Sequence, residues 1–166
     1  QRRTKKTAIY VTHDQSEAFA ISDRIFVMNQ GRVEQAGNQL DIYLRPATEF
    51  VANFVGDNNA IPGTIVSIEI GEDGERTANV QAGNFELKGF APEPLDTGDE
   101  VLAFVRPENI EVVGANTRIE GDGLVTGTVE QIVFEGPTVR MNVRCDDILL
   151  NVSASGVERL TLLDKG

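Results

Sequence analysis

The stretch GTIVSI at residues 63–68 recurs in related form as GTVEQI at residues 127–132. Each copy is followed by a second β-rich run and then by a tight turn, Gly83-Asn84 in the first copy and Asp146-Asp147 in the second. Each unit is therefore predicted to be strand, loop, strand, turn, strand. The offset between matching positions of the two copies changes by one residue along the repeat, which indicates a single-residue insertion or deletion in a loop. We expect two half-repeats of similar structure, residues 61–90 and 124–153.

The sequence around these repeats predicts a mainly β domain that begins after residue 56. Glycine, proline and Asp/Asn residues separate several short β-rich runs, a pattern typical of a small antiparallel barrel or sandwich. Residues 56–63, GDNNAIPG, are predicted to be a loop, and we place a domain boundary near residues 56–60. The runs lie at residues 64–70, 78–80, 85–87, 101–105, 125–134, 139–143 and 148–152.

Residues 1–56 instead alternate strand-like and helix-like segments, which predicts a small α/β unit. The apolar run AIYV at residues 8–11 is predicted to be a strand buried on both faces. A short helix over residues 15–22 follows, with Asp14 as its N-cap and Glu17 at the spacing of a capping box.

The remainder of this first unit predicts a hairpin and two short helices. Residues 29–31, NQG, lie between β-rich runs and provide a glycine for a left-handed turn position. Apolar residues then recur at helical spacing in residues 40–44 and again in residues 50–55. Arg45-Pro46 separates the two helices, because the residue before a proline avoids helical geometry.

Charge and cysteine content exclude several classes of protein. The 166-residue sequence has a formal charge of -11, and almost all of the excess lies in residues 57–166, which carry -12. Such a segment repels a polyanion, so nucleic-acid binding is not predicted. Cys145 is the only cysteine. It is predicted to be inert, and neither an internal disulfide nor a cysteine-based metal cluster can form.

His13 is the only histidine and the strongest candidate for chemistry. It is placed between the predicted strand and the N-cap of the following helix. Ligands commonly bind where a strand of an open α/β sheet ends, and a helix N-terminus favours an anion there. A neutral imidazole in that place can donate a hydrogen bond to a phosphate oxygen. The pattern therefore allows contact with an anionic ligand, although a single histidine at a strand end is more often structural or merely exposed.

The residues around His13 resemble a known family. Residues 10–18, YVTHDQSEA, resemble the switch-histidine loop of ABC-transporter ATPase subunits, and residues 22–37 are similar to the hairpin that follows it. Residues 40–55 look like the helical exit from the nucleotide-binding domain. Residues 105–108, VRPE, resemble an Arg-Pro-Glu element of the transport-associated OB-like (TOBE) domain. The resemblance covers essentially the whole chain and is specific to importer ATPases such as those for maltose, polyamines or ferric iron.

This resemblance implies a role for each matched residue. His13 aligns with the histidine that reaches the γ-phosphate of ATP at the interface of an ATPase dimer. Asp14 and Glu17 are expected to cap a helix, and Arg106 and Glu108 to form an internal ion pair at a corner of the β domain. Residues 1–56 would be the C-terminal remnant of the nucleotide-binding domain. Residues 57–166 would be a TOBE domain, C-terminally incomplete, that serves dimerisation or regulation.

The resemblance also implies the cofactors, partners and location of the longer parent protein. That parent would use ATP and Mg, form a homodimer, bind integral-membrane permease subunits and lie on the cytoplasmic face of the membrane. Residues 50–59 are most similar to polyamine- and iron-type ATPases, which favours those cargoes over a sugar. No phosphate-binding loop of the form G-x-x-x-x-G-K-[ST] occurs in the sequence. The chain alone is therefore expected to bind no cofactor and to hydrolyse no ATP.

Other hypotheses remain open from the sequence. The repeat also fits a stand-alone TOBE module that binds a small oxyanion or a metal ion. An oligonucleotide-binding OB module is disfavoured, since such a module needs a basic groove and exposed aromatic side chains. Because residues 8–11 would expose an apolar strand edge, we further expect this chain to self-associate or to be partly disordered over residues 1–56.

Overall fold

The computed structural model describes residues 7–114 and 123–155 and is mainly β, as the sequence predicts. The chain divides into two compact units, residues 1–56 and 57–166. The first unit contains α1 (Gln15–Ile21), β1 (Ile25–Asn29), β2 (Arg32–Gly37), α2 (Gln39–Leu44) and α3 (Glu49–Phe54). The second unit contains β3 (Asn59–Ile70), β4 (Arg76–Ala82), β5 (Phe85–Phe90), β6 (Glu100–Val105), a 3-10 helix (Pro107–Asn109), β7 (Thr128–Glu135), β8 (Thr138–Cys145) and β9 (Ile148–Ser155).

The first unit is built on the β1–β2 hairpin, which the sequence predicts correctly. Gln30 and Gly31 both have positive φ, 47° and 78°, so the turn is of the primed kind that suits the twist of two antiparallel strands. The two short helices after the hairpin are also confirmed, and α2 ends at Leu44, one residue before Arg45-Pro46. The apolar core of this unit consists of Val27, Ile42, Val51 and Val55.

The strand predicted over residues 8–11 is wrong for this structure. Residues 7–12 form neither helix nor strand, and the side chains of Ile9 and Val11 are 92% and 91% exposed. A strand buried on both faces needs a neighbouring strand on each side to pair its backbone groups. Among the residues that the structure describes, none pairs with this segment.

The second unit contains two antiparallel sheets that share one core. One sheet has the order β5-β4-β3-β6 and the other β7-β8-β9. Both sheets are open, and no strand pairing within residues 57–114 and 123–155 joins them into a closed barrel. Their common core includes Ile61 and Phe85 from the first sheet and Met141 and Val152 from the second. The arrangement is therefore two open sheets packed over a shared apolar interior.

Two predicted boundaries in this unit differ from the structure. The predicted loop over residues 56–63 is largely strand, because Asn59–Gly63 pairs with β6. Pro62 is tolerated there since β4 pairs with β3 only from Thr64 onward, which leaves this part of β3 with a single neighbour. The run predicted at residues 125–134 begins as a strand only at Thr128.

The two half-repeats share strand order and local detail. Strands β3, β4 and β5 form one antiparallel meander, and β7, β8 and β9 form another. The first strand of each carries a register shift, between Ile65 and Ser67 in β3 and between Val129 and Gln131 in β7. Asn79 Nδ2 donates to Ser67 Oγ at 2.9 Å, and the matching Asn142 Nδ2 donates to Gln131 Oε1 at 3.1 Å.

The glycine that opens each repeat is required because a side chain would not fit there. A Cβ added at Gly63 would lie 2.5 Å from Val80 Cγ1 and 2.7 Å from the Gln81 carbonyl oxygen. A Cβ added at Gly127 would lie 2.7 Å from Val143 Cγ1 and from Cys145 Sγ. In both half-repeats the neighbouring strand therefore lies too close to the glycine for any side chain to fit. Each valine belongs to the second strand of its own meander, so the two glycines meet the same constraint.

A buried asparagine connects the two sheets. Asn59, only 4% exposed, donates from Nδ2 to the Val105 carbonyl of β6 at 3.2 Å and to the Asn151 carbonyl of β9 at 2.8 Å. Its Oδ1 accepts from the Asn151 backbone N–H at 2.6 Å. One amide side chain thus pairs three backbone groups from two strands of different sheets, groups that would be costly to bury unpaired.

We predict that Gly63→Ala and Gly127→Ala each lower the free energy of unfolding of the second unit by about 1–3 kcal/mol, because a strand must shift to admit the methyl group. Urea denaturation monitored by circular dichroism measures the effect. Gly89→Ala in β5 is the matched control, since nothing lies within 4 Å of a Cβ added there. Equal stability of all three variants would contradict the steric argument.

We predict that Asn59→Ala lowers the free energy of unfolding by about 3 kcal/mol, since it leaves buried backbone groups without partners. Asn151→Ala is the control, because the Asn151 side chain is exposed and its backbone bonds to Asn59 persist. The same denaturation experiment distinguishes them. If the two variants had equal stability, the connection between the sheets would not depend on Asn59.

Candidate functional site

The candidate site is the segment that leads into α1. His13 lies at a bend between residues 7–12 and the helix, and its side chain is exposed. No hydrogen bond or ion pair joins His13 to another residue in the described part of the chain. Within the described residues, the imidazole is therefore positioned only by the backbone on either side of it.

Hydrogen bonds fix the backbone around His13. Asp14 is the N-cap of α1, and its Oδ1 accepts from the Glu17 N–H at 3.0 Å. The Asp14 N–H donates to Thr12 Oγ1 at 2.9 Å. The Thr12 hydroxyl in turn donates to Glu17 Oε2 at 3.3 Å. Thr12, Asp14 and Glu17 form a closed set of contacts that spans the position of His13, and we call this set the Thr12–Glu17 ring.

Glu17 does not complete the capping box that its spacing predicts. In a capping box the glutamate side chain bonds to the backbone N–H of the N-cap residue. Here that N–H, of Asp14, is already bonded to Thr12 Oγ1. The Glu17 carboxylate instead accepts from the hydroxyls of Thr12 and Tyr10, the latter at 2.9 Å. The sequence does not indicate this contact, because its pattern predicts that Tyr10 lies in a buried strand.

Tyr10 is affected electrostatically by the same carboxylate. Its hydrogen bond to Glu17, together with the negative charge of Glu17, raises the pKa of the Tyr10 phenol above its usual value. Ionised tyrosine could no longer donate this bond and would face a like charge.

Arg106 and Glu108 lie far along the sequence from His13, in the second unit. Arg106 is 8% exposed and donates from Nη1 to the Asp57 carbonyl at 3.2 Å, where β6 ends. Glu108 belongs to the following 3-10 helix, which contacts β9. Arg106 therefore ties the end of β6 to the beginning of the unit, and the ion pair with Glu108 stays a prediction.

A second connection at the same place is not predicted by the sequence. Asp57 Oδ2 accepts from Arg140 Nη1 of β8 at 2.8 Å, and Arg140 also bonds to Glu135 through Nε. The hydrogen bond to Asp57 and the charge of Glu135 raise the pKa of Arg140. Composition alone predicts a loop at Asp57 and Asn59, and no local signal distinguishes Asp57 from an ordinary turn residue.

The described residues contain neither a metal-binding cluster nor a reactive thiol. Within residues 7–114 and 123–155, His, Cys, Asp and Glu side chains do not form a group of three or more that could hold a metal ion. Cys145 is buried in the core of the second unit, and burial raises the pKa of its thiol. A protonated, inaccessible thiol is a poor nucleophile, which agrees with its predicted inertness. Among these residues no helix has the length and apolar character needed to cross a membrane.

Comparison with known proteins identifies the class of the chain. Residues 103–161 match the TOBE domain family. The chain is also 40% identical over 151 residues, 88% of its length, to the spermidine/putrescine import ATP-binding protein PotA of Oleidesulfovibrio alaskensis. Proteins of the same name from Rubrobacter xylanophilus and Lawsonia intracellularis are 41% and 37% identical over 85% and 96% of the chain.

The fold and these matches define a TOBE-containing protein of the ABC importer type. The chain belongs to the family of importer ATP-binding proteins that carry a TOBE domain, as the resemblance of its sequence motifs predicts. It spans 38%, 36% and 40% of the length of the three relatives, in the order named above.

We predict that Glu17→Gln lowers the pKa of Tyr10 toward its ordinary value, because the neutral amide removes the negative charge next to the phenol. The titration is followed by ultraviolet absorbance in a Tyr43→Phe background, so that Tyr10 is the only tyrosine observed. An unchanged titration midpoint would show that the contact between Tyr10 and Glu17 does not persist in solution.

Proposed function

We propose that this chain is the C-terminal region of the ATP-binding subunit of an importer for spermidine and putrescine. In this role it would help couple ATP binding and hydrolysis to uptake of the solute. The observation that carries the proposal is the 40% identity over 88% of the chain to an import ATP-binding protein, which extends across both compact units.

The names of the relatives narrow the choice of transported solute. The sequence alone leaves polyamines and ferric iron as alternatives, whereas all three relatives named above are import proteins for spermidine and putrescine. We therefore propose a polyamine as the transported solute and no longer an iron ion. The acidic charge of the second unit does not bear on the choice of cargo, because cargo selection belongs to other subunits of such importers.

His13 is the residue of this chain that we propose to contact the nucleotide. Its exposed imidazole lies at the start of α1, where it can donate a hydrogen bond to the γ-phosphate of ATP. A positioned donor stabilises charge that develops on the transferring phosphoryl group. The sequence contains no phosphate-binding loop of the form G-x-x-x-x-G-K-[ST], so in the proposed longer protein that loop would be supplied by another part of the subunit.

The two compact units suggest a division of labour. Residues 1–56 would end the nucleotide-binding domain, and residues 57–166 would form the TOBE domain that serves dimerisation or regulation. The family match begins only at residue 103, so the extension to residue 57 is supported by the packing of β3 against β6 and by the shared core of the two sheets. The partners would be a second ATPase subunit and the permease subunits, which would hold the protein at the cytoplasmic face of the membrane.

We predict that His13→Ala, introduced into the full-length ATP-binding protein assembled with its permease, lowers the rate of ATP hydrolysis by about 100-fold, since it removes a donor to the reacting phosphate. Phosphate release and spermidine uptake in proteoliposomes measure the two coupled activities. Glu72→Gln, an exposed change in the second unit, is the control and retains both.

Two results would contradict the proposal. Hydrolysis at the parental rate in His13→Ala would remove the role of the imidazole. Uptake of molybdate, tungstate or a metal ion by the isolated chain in equilibrium dialysis, with no hydrolysis by the longer protein, would favour the stand-alone binding module.

A further inference from the structure

The Thr12–Glu17 ring suggests how the imidazole of His13 is kept in place. Its members flank His13 on both sides: Thr12 precedes the histidine, Asp14 follows it, and Glu17 lies one helical turn further on. Every bond in the ring uses the side chain of one of these three residues. None involves the imidazole, so the ring can orient the backbone at His13 without occupying the nitrogens that a ligand would need.

Each bond in the ring has a defined direction. The Asp14 N–H donates to the Thr12 oxygen, which leaves the Thr12 proton free to be donated to the Glu17 carboxylate. The Glu17 N–H closes the circuit on the Asp14 carboxylate. The hydroxyl of Thr12 is therefore needed both as acceptor and as donor. Serine can supply the same two functions, whereas valine has the same shape and supplies neither.

On the basis of the proposed function, we propose that Thr12 and Glu17 are positioning residues for His13 in ATP hydrolysis. Thr12 fixes the backbone at Asp14, and Glu17 restrains Thr12 by accepting a hydrogen bond from its hydroxyl at 3.3 Å. The ring would hold the imidazole in the orientation that meets the reacting phosphate. Because a misplaced catalytic group loses rate even when binding is intact, this role affects turnover more than nucleotide affinity.

The test compares Thr12→Val, Thr12→Ser and Glu17→Ala in the full-length ATP-binding protein assembled with its permease, beside His13→Ala. We expect Thr12→Val and Glu17→Ala to lower kcat by about 10-fold while KM for ATP stays within about twofold of the parent. Thr12→Ser should restore most of kcat. Ser16→Ala is the matched control, because it removes a hydroxyl from the same segment that takes no part in the ring.

Hydrogen exchange on the same preparations reports the ring directly. The peptide covering residues 7–22 should exchange faster in Thr12→Val, at the amides of Asp14 and Glu17, by about three- to tenfold. Thr12→Ser and Ser16→Ala should exchange like the parent. Exchange that is unchanged in Thr12→Val would overturn the ring as a determinant of this backbone.

The outcomes separate this inference from the function on which it rests. If His13→Ala hydrolyses ATP normally, the proposed function fails. If His13→Ala is impaired but Thr12→Val and Glu17→Ala retain parental kcat, only the positioning role is overturned. A rise in KM with a fall in melting temperature, or a failure of serine to replace threonine, would show a merely structural role and overturn the inference equally.

Discussion

The arrangement of the two sheets in the second unit depends on the hydrogen bonds of one buried side-chain amide, that of Asn59. Asn59 bonds to backbone groups of β6 and β9, and thereby fixes the two open sheets relative to each other at one end of their common core. Apolar packing alone is not directional, and it would allow the sheets to slide. Fully paired polar groups in an apolar interior specify one arrangement, because every other arrangement leaves them unpaired. Asp57, two residues earlier, adds contacts to Arg106 and Arg140 around the same junction.

The repeat explains how each sheet is built. A glycine with no room for a Cβ, a register shift two residues later and an asparagine that reaches back across the strand pair occur in both meanders. The two copies differ in the partner of that asparagine, Ser67 in one and Gln131 in the other. The side chains changed while the backbone constraint stayed the same. This is the behaviour expected where close strand approach, more than any particular contact, determines the geometry.

In the first unit, the candidate site is held by hydrogen bonds between residues that are close in sequence. The backbone around His13 is fixed by contacts among residues 12–17, with Tyr10 joining from outside, and these contacts need no partner from a distant element. Under the proposed function, this exposed imidazole would contact a nucleotide phosphate that other residues of the longer protein help to hold.

Sequence patterns alone predict the mainly β class, the β1–β2 hairpin, the helices on either side of Arg45-Pro46 and the importer family, and they single out His13 as a candidate. These depend on periodicity, turn chemistry and motifs, all of which are local. Residues 8–11 show the limit of such evidence, since an apolar run is a strand only where other strands pair with it. Three-dimensional contacts were needed to show that residues 59–63 are strand, that Asn59 joins two sheets, and that Glu17 binds hydroxyls where its spacing predicts a capping box. In each case the hydrogen-bonding partner is distant in sequence or is already bonded elsewhere, so the amino-acid pattern around the residue does not indicate the contact.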